Sequence, residues 1–131
     1  MGAGTRIKEI LREKGMTIKQ LAELSGVSVN TLYSITKRDS KRIDETILQQ
    51  IADALGVRPL YIMSFDGMSE SEIRKQYDVA DSIIDEMKES IGSDDATITK
   101  RADEDLKQMG DVLTRLSEAS FMSQIEKADY R

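Results

Sequence analysis

The stretch TIKQLAELSGVSVNTLYSI, residues 17–35, decides the fold, because it spells two short helices joined by a tight turn. Thr17 and Gln20 have the three-residue spacing of a reciprocal N-cap, and Leu21 and Leu24 sit three apart on one face. Gly26 stops that helix where a positive φ is needed. Only Val27 and Ser28 separate it from the next one. Ser28 is the expected N-cap, Val27 and Leu32 are placed as a hydrophobic staple, and Leu32 with Ile35 supply the inward stripe. Ala22 is small where the two helices cross.

The same punctuation runs outward on both sides. Thr5 is the expected cap of a first helix of about ten residues, with Ile7, Ile10 and Leu11 inward and Gly15 at its end. Asp44 caps ETILQQIADALG, in which Ile47, Ile51 and Leu55 repeat every four residues and Gly56 closes the end. Pro59, the only proline, opens a fifth short helix, PLYIMSF. Five short helices without a strand signal predict a compact all-α domain over residues 1–66.

DGMSESE breaks this rhythm. Ser69 and Glu72 have capping-box spacing, and Ile73, Tyr77, Ala80, Ile84, Met87 and Ile91 follow at heptad steps. GSDDAT, residues 92–97, reads as a turn. Ile98, Ala102, Leu106, Met109, Leu113 and Leu116 then give a second stripe, continuing to Met122 and Ile125. Residues 67–131 are therefore expected to form a two-helix hairpin.

Charge separates the same two halves. The net charge is -5. Residues 1–66 carry 10 Lys and Arg against 8 Asp and Glu, whereas residues 67–131 carry 9 against 16. Four of the cations, Lys37, Arg38, Lys41 and Arg42, cluster directly after the second helix of the opening stretch. Only the first half suits a polyanion. The chain has no Cys and no His, which excludes disulfides, thiolate or imidazole metal sites, and Ser-His or Cys-His catalysis. No metal, cofactor or catalytic residue is expected. No apolar run approaches a membrane span and the first residues lack a signal-peptide core, so the expected location is the cytoplasm.

Residues 5–63, through ILQQIADALGV, resemble the Cro/C1-type (XRE) helix-turn-helix regulators. The resemblance implies a five-helix lambda-repressor-like domain that binds double-stranded DNA, with the hairpin appended to it. It implies base-edge contacts from Val29, Asn30 and Ser34, with Tyr33 beside them. An Asn near a helix N-terminus can pair bidentately with adenine, and Val29 and Tyr33 can meet a thymine methyl. Phosphate contacts are expected from Thr17, Lys19, Ser28, Thr31, Lys37, Arg38, Lys41 and Arg42, which supply affinity without reading sequence. Three positions depart from the family pattern. Ile18 stands where a phosphate-contacting Gln is frequent, Leu11 and Thr36 replace a frequent Arg–Glu pair, and TKRDSK replaces the usual Glu-x-Gly end of the third helix.

Readers of this kind usually bind as dimers on half-sites about 34 Å apart. The acidic hairpin is the expected dimerising element, through Ile73, Tyr77, Ile84, Met87, Leu106, Met109, Leu113 and Leu116. Packing of its two helices on each other or back on the first domain, with no oligomer, is the alternative. The implied function is a phage- or mobile-element-like repressor on a palindromic operator, open to an antirepressor or protease partner. An antitoxin whose acidic helices hold a toxin is the second reading. An enzyme built on Asp94 and Asp95 is the third, although in a turn those residues suit helix capping better than metal binding.

Overall fold

The computed structural model describes the backbone of residues 2–91 and 96–129, and within it the side chains of residues 2–89 and 103–124. The described residues are helical and contain no strand. Seven helices follow in order: α1 (Ala3–Lys14), α2 (Ile18–Ser25), α3 (Val29–Lys37), α4 (Glu45–Leu55), α5 (Pro59–Ile62), α6 (Glu70–Ile91) and α7 (Ala96–Asp129). They divide into two compact units, Met1–Asp66 and Gly67–Arg131.

The first unit closes on one apolar core. Ile7, Ile10 and Leu11 from α1, Leu21 from α2, Leu32 and Ile35 from α3, and Ile51 and Leu55 from α4 are buried together with Val27. Glycines end three of the helices in the left-handed conformation, at Gly15, Gly26 and Gly56. Asp44 caps α4 by accepting from the Thr46 and Ile47 N–H groups. The fifth helix is shorter than PLYIMSF suggests, a single turn starting at Pro59.

Two expectations in this unit need correction. Leu24 is 63% exposed. Ile18 and Ala22 pack against the core on one side of buried Leu21, and Leu24 falls on the other. Thr5 does not cap α1 but lies inside its first turn; the helix starts at Ala3 with Gly2 in the N-cap position. Gly2 has no side chain to cap with, so the carboxylate of Asp39 does it from across the fold. Its Oδ2 accepts from Gly2 N–H at 2.9 Å and its Oδ1 from Thr5 N–H at 2.7 Å.

That cap depends on how closely α1 meets the end of α3. A Cβ on Gly4 would lie 2.3 Å from the Ile35 carbonyl oxygen and 2.9 Å from the Asp39 Cα. Glycine here lets two backbones touch.

In the second unit α6 and α7 pack on each other. Ser69 Oγ accepts from Glu72 N–H at the start of α6. The Tyr77 and Ser117 hydroxyls, one from each helix, are 3.1 Å apart. Each stripe resolves into two lines. Ile73, Ala80 and Met87, seven residues apart, are buried, as are Met109 and Leu116 on α7. Tyr77 and Ile84, and Leu106 and Leu113, flank those lines and are half-buried. Val112 is fully buried although the heptad steps pass over it. The buried arc of α7 is rotated toward Val112 and away from Leu113. Met122 is 55% exposed, as is neighbouring Phe121 at 63%, so the stripe does not continue inward to residue 122. Ala96 and Thr97, expected in the turn, are helical. Residues 92–95, with Asp94 and Asp95, lie outside the described residues, as do the side chains of Ile91, Ile98, Ala102 and Ile125.

Candidate nucleic-acid interface

Helix α3 owes its direction to its first turn. Ser28 Oγ accepts from the Thr31 N–H at 3.1 Å, and its own hydroxyl donates to Thr31 Oγ1 at 2.7 Å. The Ser28 proton is thereby used inside the protein. That leaves the Thr31 hydroxyl hydrogen as the one directed elsewhere, so of these two expected phosphate contacts Thr31 is the better donor. Val27, 6% exposed, and Leu32, fully buried, anchor the helix from below.

The outer face of α3 carries Asn30, Tyr33, Ser34 and Lys37, all exposed. Tyr33 is exposed by 54%. Val29, expected on this face, is half-buried and so contributes only part of its side chain to it. The departure at Thr36 is internally satisfied: this residue is 3% exposed, and its hydroxyl donates to the Leu32 carbonyl at 3.0 Å. Leu11, at the matching departure in α1, is 5% exposed. No buried charge is left unpaired at this pair of positions.

Helix α2 presents a complete reciprocal cap. Thr17 Oγ1 accepts from Gln20 N–H at 3.1 Å, and Gln20 Oε1 accepts from Thr17 N–H at 2.9 Å. The amides of Ile18 and Lys19 remain outside this box at the first turn, where a helix N-terminus favours an anion. Thr17 and Lys19 are exposed, whereas Ile18 packs against the core. Its apolar side chain has a structural use at the position where the polar contact is lost.

The basic segment after α3 is a built turn. Asp39 has a φ of 48°, the only non-glycine in the left-handed region among the described residues. Its N–H donates to the Thr36 carbonyl at 3.4 Å, and Ser40 N–H donates to the Ile35 carbonyl at 3.1 Å. This pair of bonds closes a helix C-terminus in the manner usually reserved for Gly, and Asp is among the side chains that tolerate the conformation. Ser40 in turn accepts from Ala3 N–H at 2.9 Å. Hydrogen bonds from the Thr5 side chain first, then from the Gly2 and Thr5 amides, hold the Asp39 carboxyl below its ordinary value of 3.8. Lys37, Arg38 and Lys41 stand exposed around this anchor. Arg42 is exposed too, but its guanidinium also reaches the Ser64 carbonyl at 3.4 Å, which ties it back to the domain.

Sequence reasoning passed over two residues here. Asp39 drew no expectation from the sequence, because its separation of 34 and 37 residues from its partners leaves no local signal. Arg6 is 8% exposed, donates to the Tyr61 carbonyl through Nε and Nη2, and lies 4.4 Å from the Tyr61 ring centroid. It joins α1 to α5. Its spacing four residues before inward Ile10 was the available clue.

Among the described residues no group of acidic side chains could hold a metal, and no helix is long and apolar enough to cross a membrane. Residues 6–67 match the family model of the Cro/C1-type helix-turn-helix DNA-binding domain. No curated protein and no solved structure matches the chain.

Proposed function

We propose that this chain, whose residues 6–67 match the Cro/C1-type helix-turn-helix DNA-binding domain, is a transcriptional repressor that occupies a palindromic operator as a dimer. The observation that carries the reading is a single surface. Asn30, Tyr33 and Ser34 are exposed on α3, and the exposed cations Lys37, Arg38 and Lys41 follow at its end and in the turn behind it. In this reading the first three meet base edges in the major groove and the cations meet phosphates. Thr17, Lys19 and Thr31 add backbone contacts from the first turns of α2 and α3. Repression needs only occupancy of a promoter, inside the compartment that holds the DNA.

The dimer is assigned to the second unit, by the size of its core. Two helices alone bury little area. Tyr77, Ile84, Leu106 and Leu113 form half-buried lines beside the closed seam of the hairpin, and a second copy would cover them in a four-helix bundle. The other four expected contact residues, Ile73, Met87, Met109 and Leu116, are buried already in the single chain. They support the hairpin rather than the partner.

The deciding experiment is a fluorescence-anisotropy titration of the protein against its own promoter region and against random DNA, each at two salt concentrations. Tighter binding to the promoter, with affinity falling as salt rises, is expected. Equal affinity for both DNAs would contradict a specific repressor. Co-purification of a basic protein bound to the acidic hairpin would favour the antitoxin reading instead.

A further inference from the structure

We infer that Asp39, an acid inside the basic cluster, is a positioning residue for DNA binding: it holds the phosphate-contacting segment in one shape by closing α3 and capping α1 at once. The inference rests on the DNA reading above. Four observations meet at this residue. Its backbone occupies the left-handed position that ends α3, with φ at 48°. Its carboxylate spans the first turn of α1 through the Gly2 and Thr5 amides. The next residue repeats the connection, because Ser40 bonds to α3 through its N–H and to α1 through its carbonyl. Gly4 keeps the two backbones close enough for all of these bonds.

Lys37 and Arg38 precede this anchor and Lys41 and Arg42 follow it, so the bonds of Asp39 and Ser40 set the direction in which the chain carries the cations. A segment fixed before binding loses less freedom on DNA than one that must be ordered there. An acid placed among phosphate-binding cations opposes DNA electrostatically. The two effects have opposite signs, and that makes the role testable.

Asp39→Gly separates them. Glycine suits the left-handed backbone better than aspartate, which offsets the lost cap and keeps the domain folded. It also removes the negative charge. If Asp39 were only a charge in the cluster, Asp39→Gly would bind DNA more tightly. Positioning predicts weaker binding, by roughly three- to ten-fold, the scale of re-ordering one or two long side chains. The loss should be equal on promoter and random DNA, because phosphate contacts read no sequence. Asp39→Asn has the same charge as Asp39→Gly but keeps one carbonyl oxygen as acceptor, and should fall between wild type and Asp39→Gly.

The test is the anisotropy titration of the full chain on both DNAs, with thermal melts showing that each variant is folded at the assay temperature. The order wild type, Asp39→Asn, Asp39→Gly in decreasing affinity supports the inference. Unchanged or tighter binding by Asp39→Gly overturns it while leaving the DNA reading intact. Failure of the wild type to bind either DNA overturns the DNA reading, and this inference with it.

Discussion

Asp39 shows how much one side chain can connect. Its carboxyl titrates below 3.8 in the folded protein because the charged form accepts the Thr5 and Gly2 hydrogen bonds. A depressed carboxyl stabilises the fold fully above the unfolded value, and that contribution fades as pH falls through the lower folded value. Asp39→Asn, measured by urea unfolding, should therefore cost about 1 kcal/mol at pH 7, typical of a helix cap. The difference from wild type should stay level down to about pH 5 and shrink below 3.8. A difference independent of pH would show that the charge of Asp39 does not contribute. None of this was legible locally. A cap supplied from 37 residues away leaves no pattern in the residues it serves, and the sequence reading accordingly placed the cap of α1 at Thr5.

At the scale of the element, the opening stretch was largely legible. The Thr17–Gln20 box, the Gly26 stop and the Ser28 cap are local rules acting on residues a few positions apart, and each occurs as spacing alone suggests. Burial was read less well at the edges: Leu24 and Val29 have the right chemistry for their expected places, but the packing partner decides which side of a short helix is inside. The division between α3 and the segment behind it gives a prediction of its own. Asn30→Ala should lower affinity for the promoter by about 1–3 kcal/mol while leaving random DNA nearly unaffected. Lys41→Ala should weaken both DNAs alike and reduce the slope of log affinity against log salt by about 1. Salt titrations of the two variants check this, and identical behaviour would dissolve the proposed division between reading and positioning.

For the whole molecule, the chain divides physically where its charge divides. The boundary after Asp66 separates ten cations and eight acids from nine cations and sixteen acids. Heptad spacing revealed the two helices of the second unit, but not how each stripe is shared. Val112 and the flanking lines at Tyr77, Ile84, Leu106 and Leu113 depend on rotation of one helix against another, which the spacing of one strand of sequence does not encode. Ile84→Asp with Leu113→Asp should convert a dimer to a monomer in sedimentation equilibrium and weaken promoter binding. Both positions are half-buried in the single chain, so circular dichroism must show that the hairpin persists. A wild-type chain that sediments as a monomer at micromolar concentration would instead confine the hairpin to packing on itself.

The bond from Gly2 to Asp39 bears on how the protein can be handled. Whatever is fused ahead of Gly2 leaves the fold beside the basic segment, within one residue of the carboxylate that orders it. A polyhistidine or charged affinity tag at that end would sit against the surface assigned to phosphates, adding cations of its own or crowding the duplex. Tags and fluorophores therefore belong after α7, on the unit that carries no expected DNA contact.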